Sequence, residues 1–540
     1  MRRRRLRRIR AMMRGYRRLR EADQLDRLGA LKDAISRQAL SVSNASSVVF
    51  GAATPVAELV IRQYVLVRVV SWTKLNESVL YALGRGNAPV VHPLPREWRG
   101  VLASQGLRVA PLRSALLWYC YVGRLFANGL YTFLKSLLSD AGTLRDKRDP
   151  IGIHAHFEGL SEANLPQPAP DRRSHDIVTW YHGWRNRIEP LEAITHGVGS
   201  TNPTKVADVS VTAVSSPVPR LRTSGSLVRF TGWGLLSFLL AAADLLRLRW
   251  WHALLLHEGV LAARVRLGSP SDLAREFLFH NSSWIYRPLW TYEAEKAGSR
   301  ITFYFYSTNN ETFKRPGGYP LQTHMWHVMS WPRYLVWDEF QAAFVRRAVG
   351  SLPYVEIVGP IWFTSSAREL PEIPGRTIAV FDVTPMRKSY YQTLGVDVEY
   401  YVPQVSAAFL TDIQQAAEAA GLSVHWKRKR NIGPLADRQY RLCAERLERC
   451  SNMISIDPDI SAVRVIERAT VVISMPFTST ALLAREMGKP SCYYDPAGVI
   501  ERTDRAAHGI PVVSGIQELA VWLEEMQATQ SADTRLRSAR

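Results

Sequence analysis

At 540 residues, with 46% hydrophobic and 22% charged residues, the chain is an ordinary globular protein with room for two or three domains, not a disordered or fibrous one. Four cysteines (Cys120, Cys443, Cys450, Cys492) are too few and too scattered for a disulfide framework, and with no signal peptide at the start they point to a reducing cytoplasm. The net charge of +21 is partly local: eleven of the first twenty residues are Arg and none is acidic, and without them +10 remains over 520 residues, so nucleic-acid binding is not implied for the body.

The apolar residues of that basic start (Leu6, Ile9, Met12, Met13, Tyr16, Leu19) recur at three- and four-residue steps, so it reads as a disordered arm or as an amphipathic helix on anionic lipid. Residues 20–145 carry a weak mixed pattern, with a buried strand or helix at 56–70 and a longer helix at 114–138. Strands are expected at 153–157 and 176–181, and a flexible, Ser/Thr/Pro-rich excursion at 202–226. The most apolar stretch, 234–256, is interrupted by Asp244, Arg247, Arg249 and His252 within one bilayer thickness, which favours buried or interface-lying helices over a membrane span.

From 276 the punctuation sharpens into a strand at 276–280, a helix at 284–297 stopped by Gly298, and a strand at 301–306. Another strand at 334–337 leads into a helix capped by Asp338, and a further strand occupies 355–358. After a linker at Pro371-Glu372-Ile373-Pro374 come strands at 377–383, 423–426, 453–456, 471–474 and 492–494. Helices at 405–420, 461–469 (capped by Ser461), 480–487 and 516–526 alternate with them. Strand, helix and strand joined by short links predict parallel sheets covered by helices, here two Rossmann-like domains in tandem.

Ligands of such sheets sit beyond the carboxyl ends of the strands. Pro476-Phe477-Thr478-Ser479-Thr480 follows the buried run 471–474 at that edge, so Thr478 or Ser479 caps the next helix or serves a phosphate oxygen, tasks that use the same groups. His425 and Lys427 are candidate ligand contacts in a basic run whose Arg428–Arg430 portion reads as surface. Asp382 orders a turn or positions a ligand hydroxyl. In the earlier domain Asn281, Ser282 and Asn309 suit sugar hydroxyls, and His280, Glu293 and Glu311 are the candidates for a general base. No Walker loop, GxGxxG fingerprint, GxSxG elbow or zinc-ligand spacing occurs, which weighs against an NTPase, a dehydrogenase and a serine hydrolase.

The segments Ile473-Ser474-Met475-Pro476-Phe477-Thr478-Ser479-Thr480, Gly488-Lys489-Pro490 and Tyr494-Asp495-Pro496 resemble the hallmark of the bacterial polysaccharide-biosynthesis PFTS motif proteins. His280-Asn281-Ser282-Ser283-Trp284, Pro288-Leu289-Trp290, Tyr306-Ser307-Thr308-Asn309 and Trp331-Pro332 to Trp337-Asp338 fit the same resemblance, over roughly 270–500. That family resembles GT-B glycosyltransferases, whose C-terminal domain holds a nucleotide-sugar and whose N-terminal domain holds the acceptor. The resemblance implies donor phosphate at Thr478, Ser479 and Thr480 and acceptor chemistry near 280–311. It also implies a nucleotide contact for His425, where Trp426 stands in place of the Pro of CMP-sugar-using relatives. No metal and no cofactor beyond the donor are expected.

The expected fold is α/β, GT-B-like. A basic, mainly helical extension (1–145) precedes an acceptor domain with a helical insertion (146–368), a nucleotide-sugar domain (369–527) and a polar tail (528–540). The expected function is transfer of a sugar from a nucleotide-sugar to a surface polysaccharide or lipopolysaccharide acceptor, glycan or lipid-linked. The expected place is the inner face of the bacterial cytoplasmic membrane, reached through the Arg-rich start. The alternatives are a non-catalytic glycan- or nucleotide-binding assembly factor and a GT-B-like nucleotide-sugar epimerase.

Overall fold

The computed structural model describes residues 2–40, 46–70, 74–143, 152–161, 177–185, 195–200, 204–206, 209–214, 216–281, 286–308, 311–314, 317–319, 326–361, 370–371, 376–395, 400–428 and 433–538. Helices α1 (Arg2–Glu21), α2 (Arg27–Arg37), α3 (Ser46–Phe50), α4 (Thr54–Val65), α5 (Lys74–Leu83), α6 (Arg96–Ser104) and α7 (Pro111–Thr143) come first. Strand β1 (Ala155–Ser161), α8 (Ile177–Arg185), β2 (Thr195–Ser200), β3 (Thr204–Val206) and β4 (Val209–Ala213) precede a helical pair, α9 (Ser224–Leu246) and α10 (Trp251–Leu267). The chain then runs through β5 (Glu276–His280), α11 (Trp290–Lys296), β6 (Arg300–Tyr304), β7 (Arg333–Val336), α12 (Glu339–Ala348) and β8 (Tyr354–Ile357). The second half holds β9 (Thr377–Phe381), α13 (Lys388–Leu394), α14 (Pro403–Ala419), β10 (Ser423–Lys427), α15 (Arg438–Leu447) and β11 (Met453–Ile456). It closes with α16 (Ala462–Arg468), β12 (Val471–Ser474), α17 (Ser479–Glu486), β13 (Ser491–Asp495), β14 (Val512–Ser514) and α18 (Gly515–Ser538).

Two sheets result, as the GT-B-like expectation requires. The first has eight strands in the order β3-β4-β2-β1-β5-β6-β7-β8, parallel except for the β3/β4 pair. The second has six, β11-β10-β9-β12-β13-β14, all parallel, the doubly wound order that reverses between its first and fourth strands. Strands covered on both faces read as unbroken apolar runs, which is why β9 and β12 are buried at every position.

Alternation along β5 and β6 divides the first sheet's packing. Phe277, Phe279, Ile301 and Phe303 face a core shared with Val49, Phe50, Ala57 and Val60 of the N-terminal helices. Leu278 and Tyr304 face α8 through Tyr181 and Trp184. The N-terminal helices are thus one layer of the domain and no appendage. They also reach the second half, where Asn76 Nδ2 donates to the Leu394 carbonyl at 2.9 Å.

Several expectations are corrected. The run 176–181, read as a strand, is helical from Ile177 onward as part of α8, because a short apolar run has no period that separates helix from strand. Part of the expected excursion at 202–226 pairs as β3 and β4, and its end is the start of α9, capped by Thr223 Oγ1 accepting from Ser226 N at 3.1 Å. With that earlier start α9 spans 23 residues, contains an 18-residue window of mean hydropathy 1.4 and, by length and composition alone, is long and apolar enough to cross a bilayer. The stretch at 56–70, open between strand and helix from sequence, resolves as helix, α4 continued by a π turn over Leu66–Val70. Ser461 precedes α16 without a side-chain cap. Of the expected linker, only Pro371 lies among the described residues.

The basic start is neither a disordered arm nor an apolar face offered to lipid. Ala11, Met12, Tyr16 and Leu19 of α1 are buried. Gly15 and Gly84 let α1 and α5 approach so closely that a Cβ on Gly84 would sit 1.8 Å from the Ala11 carbonyl oxygen, and one on Gly15 2.0 Å from that of Leu80. Arg14 Nε and Arg18 Nη1 donate to the carbonyls of Gly84 (3.1 Å) and Leu83 (2.6 Å), filling the open acceptors at the C-terminus of α5. Because backbone cannot yield as a side-chain tip does, Gly84→Val should cost about 2 kcal/mol or more by overpacking, read as a lowered denaturant midpoint at unchanged m-value.

Candidate functional site

The order of the second sheet reverses between β9 and β12, and a cavity of about 270 Å³ lies there. It is lined by Phe381, Asp382, Lys427, Arg428, Ala462, Thr478, Ser479 and Thr480, and on its far side by Tyr306 and Ser307 from the first sheet. The carboxyl edges of both sheets therefore contribute walls.

The motif loop is built by its own hydroxyls. Phe477 takes a left-handed φ of +64°, unusual for a bulky side chain, and its ring packs edge-on against Phe313 (4.9 Å) and Tyr493 (5.5 Å). Thr478 precedes α17 but does not cap it: its Oγ1 donates to the Met475 carbonyl at 2.9 Å, and its own carbonyl accepts from Tyr493 Oη at 2.9 Å. Thr480 Oγ1 lies 2.8 Å from Ser474 Oγ, and the Pro476 carbonyl accepts from Tyr401 Oη at 2.7 Å. Ser479 Oγ accepts from the backbone N–H of Thr308 at 3.0 Å, a contact between the two halves. The first turn of α17 is thus left without a side-chain cap, facing a cavity that holds cations.

Lys427 ends β10 buried, its Nζ donating to the Pro458 carbonyl at 2.7 Å. Burial lowers its pKa against the pull of Asp457, Asp459 and Asp382. Arg428, read from sequence as surface, lines the cavity while pairing with Glu448 at 3.1 Å. Asp382 follows β9. Its Oδ2 accepts from Tyr440 Oη, and its buried Oδ1 has no hydrogen-bond partner. Burial pushes this carboxyl up to about 6, against the stabilising Tyr440 hydroxyl. A carboxyl held near neutrality in a cavity can take up or release a proton there.

Other sequence candidates sit elsewhere. His425 lies inside β10, paired in register with Ala379 and Ile454, two residues short of the edge; alternation turns it with Lys427, but only Lys427 reaches the cavity. Glu293 is on α11, which runs back toward the amino edge of the first sheet. It pairs there with Lys296 at 2.9 Å beside Gly51, away from the cavity. Glu311 is held by Arg347 and by Arg505 at 3.0 Å, an ion-pair bridge between the halves rather than an available base. Asn281 spends its carboxamide on the adjacent loop, accepting from Tyr306 N (3.1 Å) and donating to Ser307 Oγ (3.4 Å), so it shapes the wall and does not line it. His280 ends β5, stacked edge-on with Tyr306 at 5.7 Å, and burial drives its pKa down to about 4, leaving it neutral and weakly basic at pH 7. Ser282 and Asn309 lie outside the described residues.

Sequence reading missed Tyr440 and the latch around Asp338. Asp338 caps α12 through Gln341 N at 2.9 Å. It also holds His508 Nδ1 (2.8 Å) and Arg485 Nη2 (3.3 Å) from the other half. The cap signal was visible, but a partner 170 residues away has no local signature.

Among solved structures, the chain is similar to a UDP-GlcNAc 2-epimerase from Methanocaldococcus jannaschii, at 8% identity over 68% of this chain and 89% of that one, with a TM-score of 0.34. It is also similar to the crystal structure of TarM, at 11% identity over 49% of this chain and 51% of that one, with a TM-score of 0.29. No curated protein matches the sequence. Residues 233–523 match the sequence model of the polysaccharide biosynthesis PFTS motif proteins. That span is more than half of the chain and contains the strands and loops that wall the cavity, and the protein belongs to the polysaccharide biosynthesis PFTS motif family.

Proposed function

We propose that the protein transfers a sugar from a nucleotide-sugar to a polysaccharide or lipopolysaccharide acceptor, glycan or lipid-linked, without a metal. One observation carries this reading: a cavity at the switch point of the second sheet, cationic on that side, is closed by the carboxyl edge of the first. A donor diphosphate fits against the amino end of α17 and the Lys427 ammonium, which would stabilise the charge that develops as the nucleotide leaves. The acceptor would approach from the side of Tyr306 and Ser307. Asp382 then takes its hydroxyl proton, replacing Glu293 and Glu311 in that role. At about 270 Å³ the cavity lies close to the lower end of ligand pockets, roughly 300–1,000 Å³, and the Thr308–Ser479 contact stands at its wall.

Titration of the purified protein with UDP-, GDP-, CMP- and dTDP-sugars by calorimetry should find one nucleotide class that binds. Lys427→Met should then weaken that class about tenfold or more, as expected for a lost charge-assisted contact of about 1.5–3 kcal/mol. Unchanged affinity in this variant rejects the phosphate assignment.

Asp382→Asn separates catalysis from folding. Turnover should vanish with donor affinity retained, and wild-type turnover should rise with pH through about 6 as the carboxyl ionises. Because the folded pKa lies above the usual carboxylate value, the native state loses stability as pH climbs from about 4 to 6, reaching a deficit of about 3 kcal/mol at neutrality. The Asn variant should therefore unfold at higher denaturant than wild type at pH 7.5, and the gain should disappear below pH 4. A variant that still turns over removes Asp382 from the mechanism.

A further inference from the structure

Helices α7 and α9 lie side by side and antiparallel: Phe126 meets Phe238 at 5.8 Å, and Phe133 meets Phe230 at 5.1 Å. Their inner sides are packed, with Trp118, Val122 and Leu125 in the main core and a Cβ on Gly234 only 2.2 Å from the Phe133 ring. Their outer sides are covered by none of the described residues. On α7, Leu112 (84% exposed), Leu116, Tyr131, Leu134 and Leu138 (75%) face outward; on α9, Val228, Leu235, Leu236, Leu239 (69%) and Leu246 (88%) do the same. From 230 to 243 the α9 sequence has no charged residue. An apolar surface of this extent on a water-soluble face marks a docking site.

Charge indicates what docks. Each helix carries one acid, and both are turned inward: Asp140 is clamped by Arg264 at 2.9 and 3.1 Å, and Asp244 is bound by His252 at 2.7 Å. The cations Arg113, Arg124, Lys135, Arg229 and Arg247 stay exposed beside the leucines. Residues 1–143 and 216–268 together hold 31 Lys and Arg against 10 Asp and Glu, while the rest of the chain balances at 38 against 38. The whole net charge of +21 therefore lies on the layer that bears the apolar face, which corrects the expectation of a residue spread evenly over the body.

We propose that the outer faces of α7 and α9 seat the protein on an anionic lipid bilayer, their leucines entering the interfacial layer while the surrounding Arg and Lys side chains meet the headgroups. This surface is distinct from the Arg-rich α1, whose apolar side is spent on α5, and it does not depend on the donor site. A second copy of the chain is disfavoured as occupant, because two such faces would press like charges together. Crossing the bilayer is disfavoured too: the inner side of α9 is bound to α7 and α10, which share a core with the first sheet.

Flotation of the full chain with vesicles of phosphatidylglycerol and phosphatidylcholine, and with phosphatidylcholine alone, tests the assignment. Wild type should float with the anionic vesicles and be released by alkaline carbonate. Leu134→Gln/Leu235→Gln/Leu239→Gln, which alters exposed positions only, should lower the partition about tenfold or more, with circular dichroism and donor affinity unchanged. Equal flotation of the variant and wild type overturns the proposal, as does wild-type flotation that ignores lipid charge. So does retention after carbonate, which means a spanning helix. A variant that instead turns a dimer into a monomer assigns the face to a second copy.

Discussion

Helices leaving β9 and β12 must go to opposite faces of the second sheet, because a parallel crossover has a fixed hand and the strand order reverses between these two. After β9 the chain packs α14 on the side of Val380 and Trp426; after β12 it packs α17 on the side of Ala379 and Val472. The loops diverge, and nothing in the sheet can fill the crevice between them. Asp382 and Thr478–Thr480 stand at its lips for that reason alone. Every chemical property of the site follows from which residues the chain has put at those two strand ends.

Placing polar groups there is costly, and the fold recovers the cost through bonds that reach across the halves. Asp382 sits buried with one oxygen unpartnered, and Phe477 is held in a left-handed backbone region. Against this stand contacts that bring the two edges together. Asp338, despite its burial, is held below the usual carboxylate range by His508 and Arg485. Lys314 pairs with Glu501, and Tyr319 Oη donates to Asp504 at 3.0 Å. Ser479, which lines the cavity, itself bonds Thr308. The contact between the halves and the proposed ligand contact thus share one hydroxyl.

The sheets were legible because parallel strands covered on both faces must be continuous apolar runs, and 276–280, 377–381 and 471–474 are such runs. The same logic failed at 176–181, where α8 presents an equally short apolar run. Within the site, parity and length decided what could be read. With β10 ending at Lys427 and not at Trp426, His425 stands two residues from the edge of the sheet where one was expected. Glu293 was misplaced because proximity in sequence to a strand end does not reveal that the intervening helix runs back to the opposite edge. Tyr440 reaches Asp382 across 58 positions, and Thr308 reaches Ser479 across 171; no local pattern records either.

The separation of charge carries a consequence for how the two surfaces work. With the sheets electrically balanced, the cavity has little long-range field of its own with which to collect an anionic ligand, and affinity there must rest on Lys427, Arg428 and the amino end of α17 at contact distance. The helical layer has the reverse character. Its charges are many, exposed and unselective, suited to an extended anionic surface and ill suited to recognising one molecule. Confining the net charge to that layer keeps a non-specific attraction from competing with the specific one. Because the helical layer shares a core with the first sheet, whose carboxyl edge carries Tyr306 and Ser307, a bilayer seat would also fix the orientation of the proposed acceptor wall relative to the lipid surface.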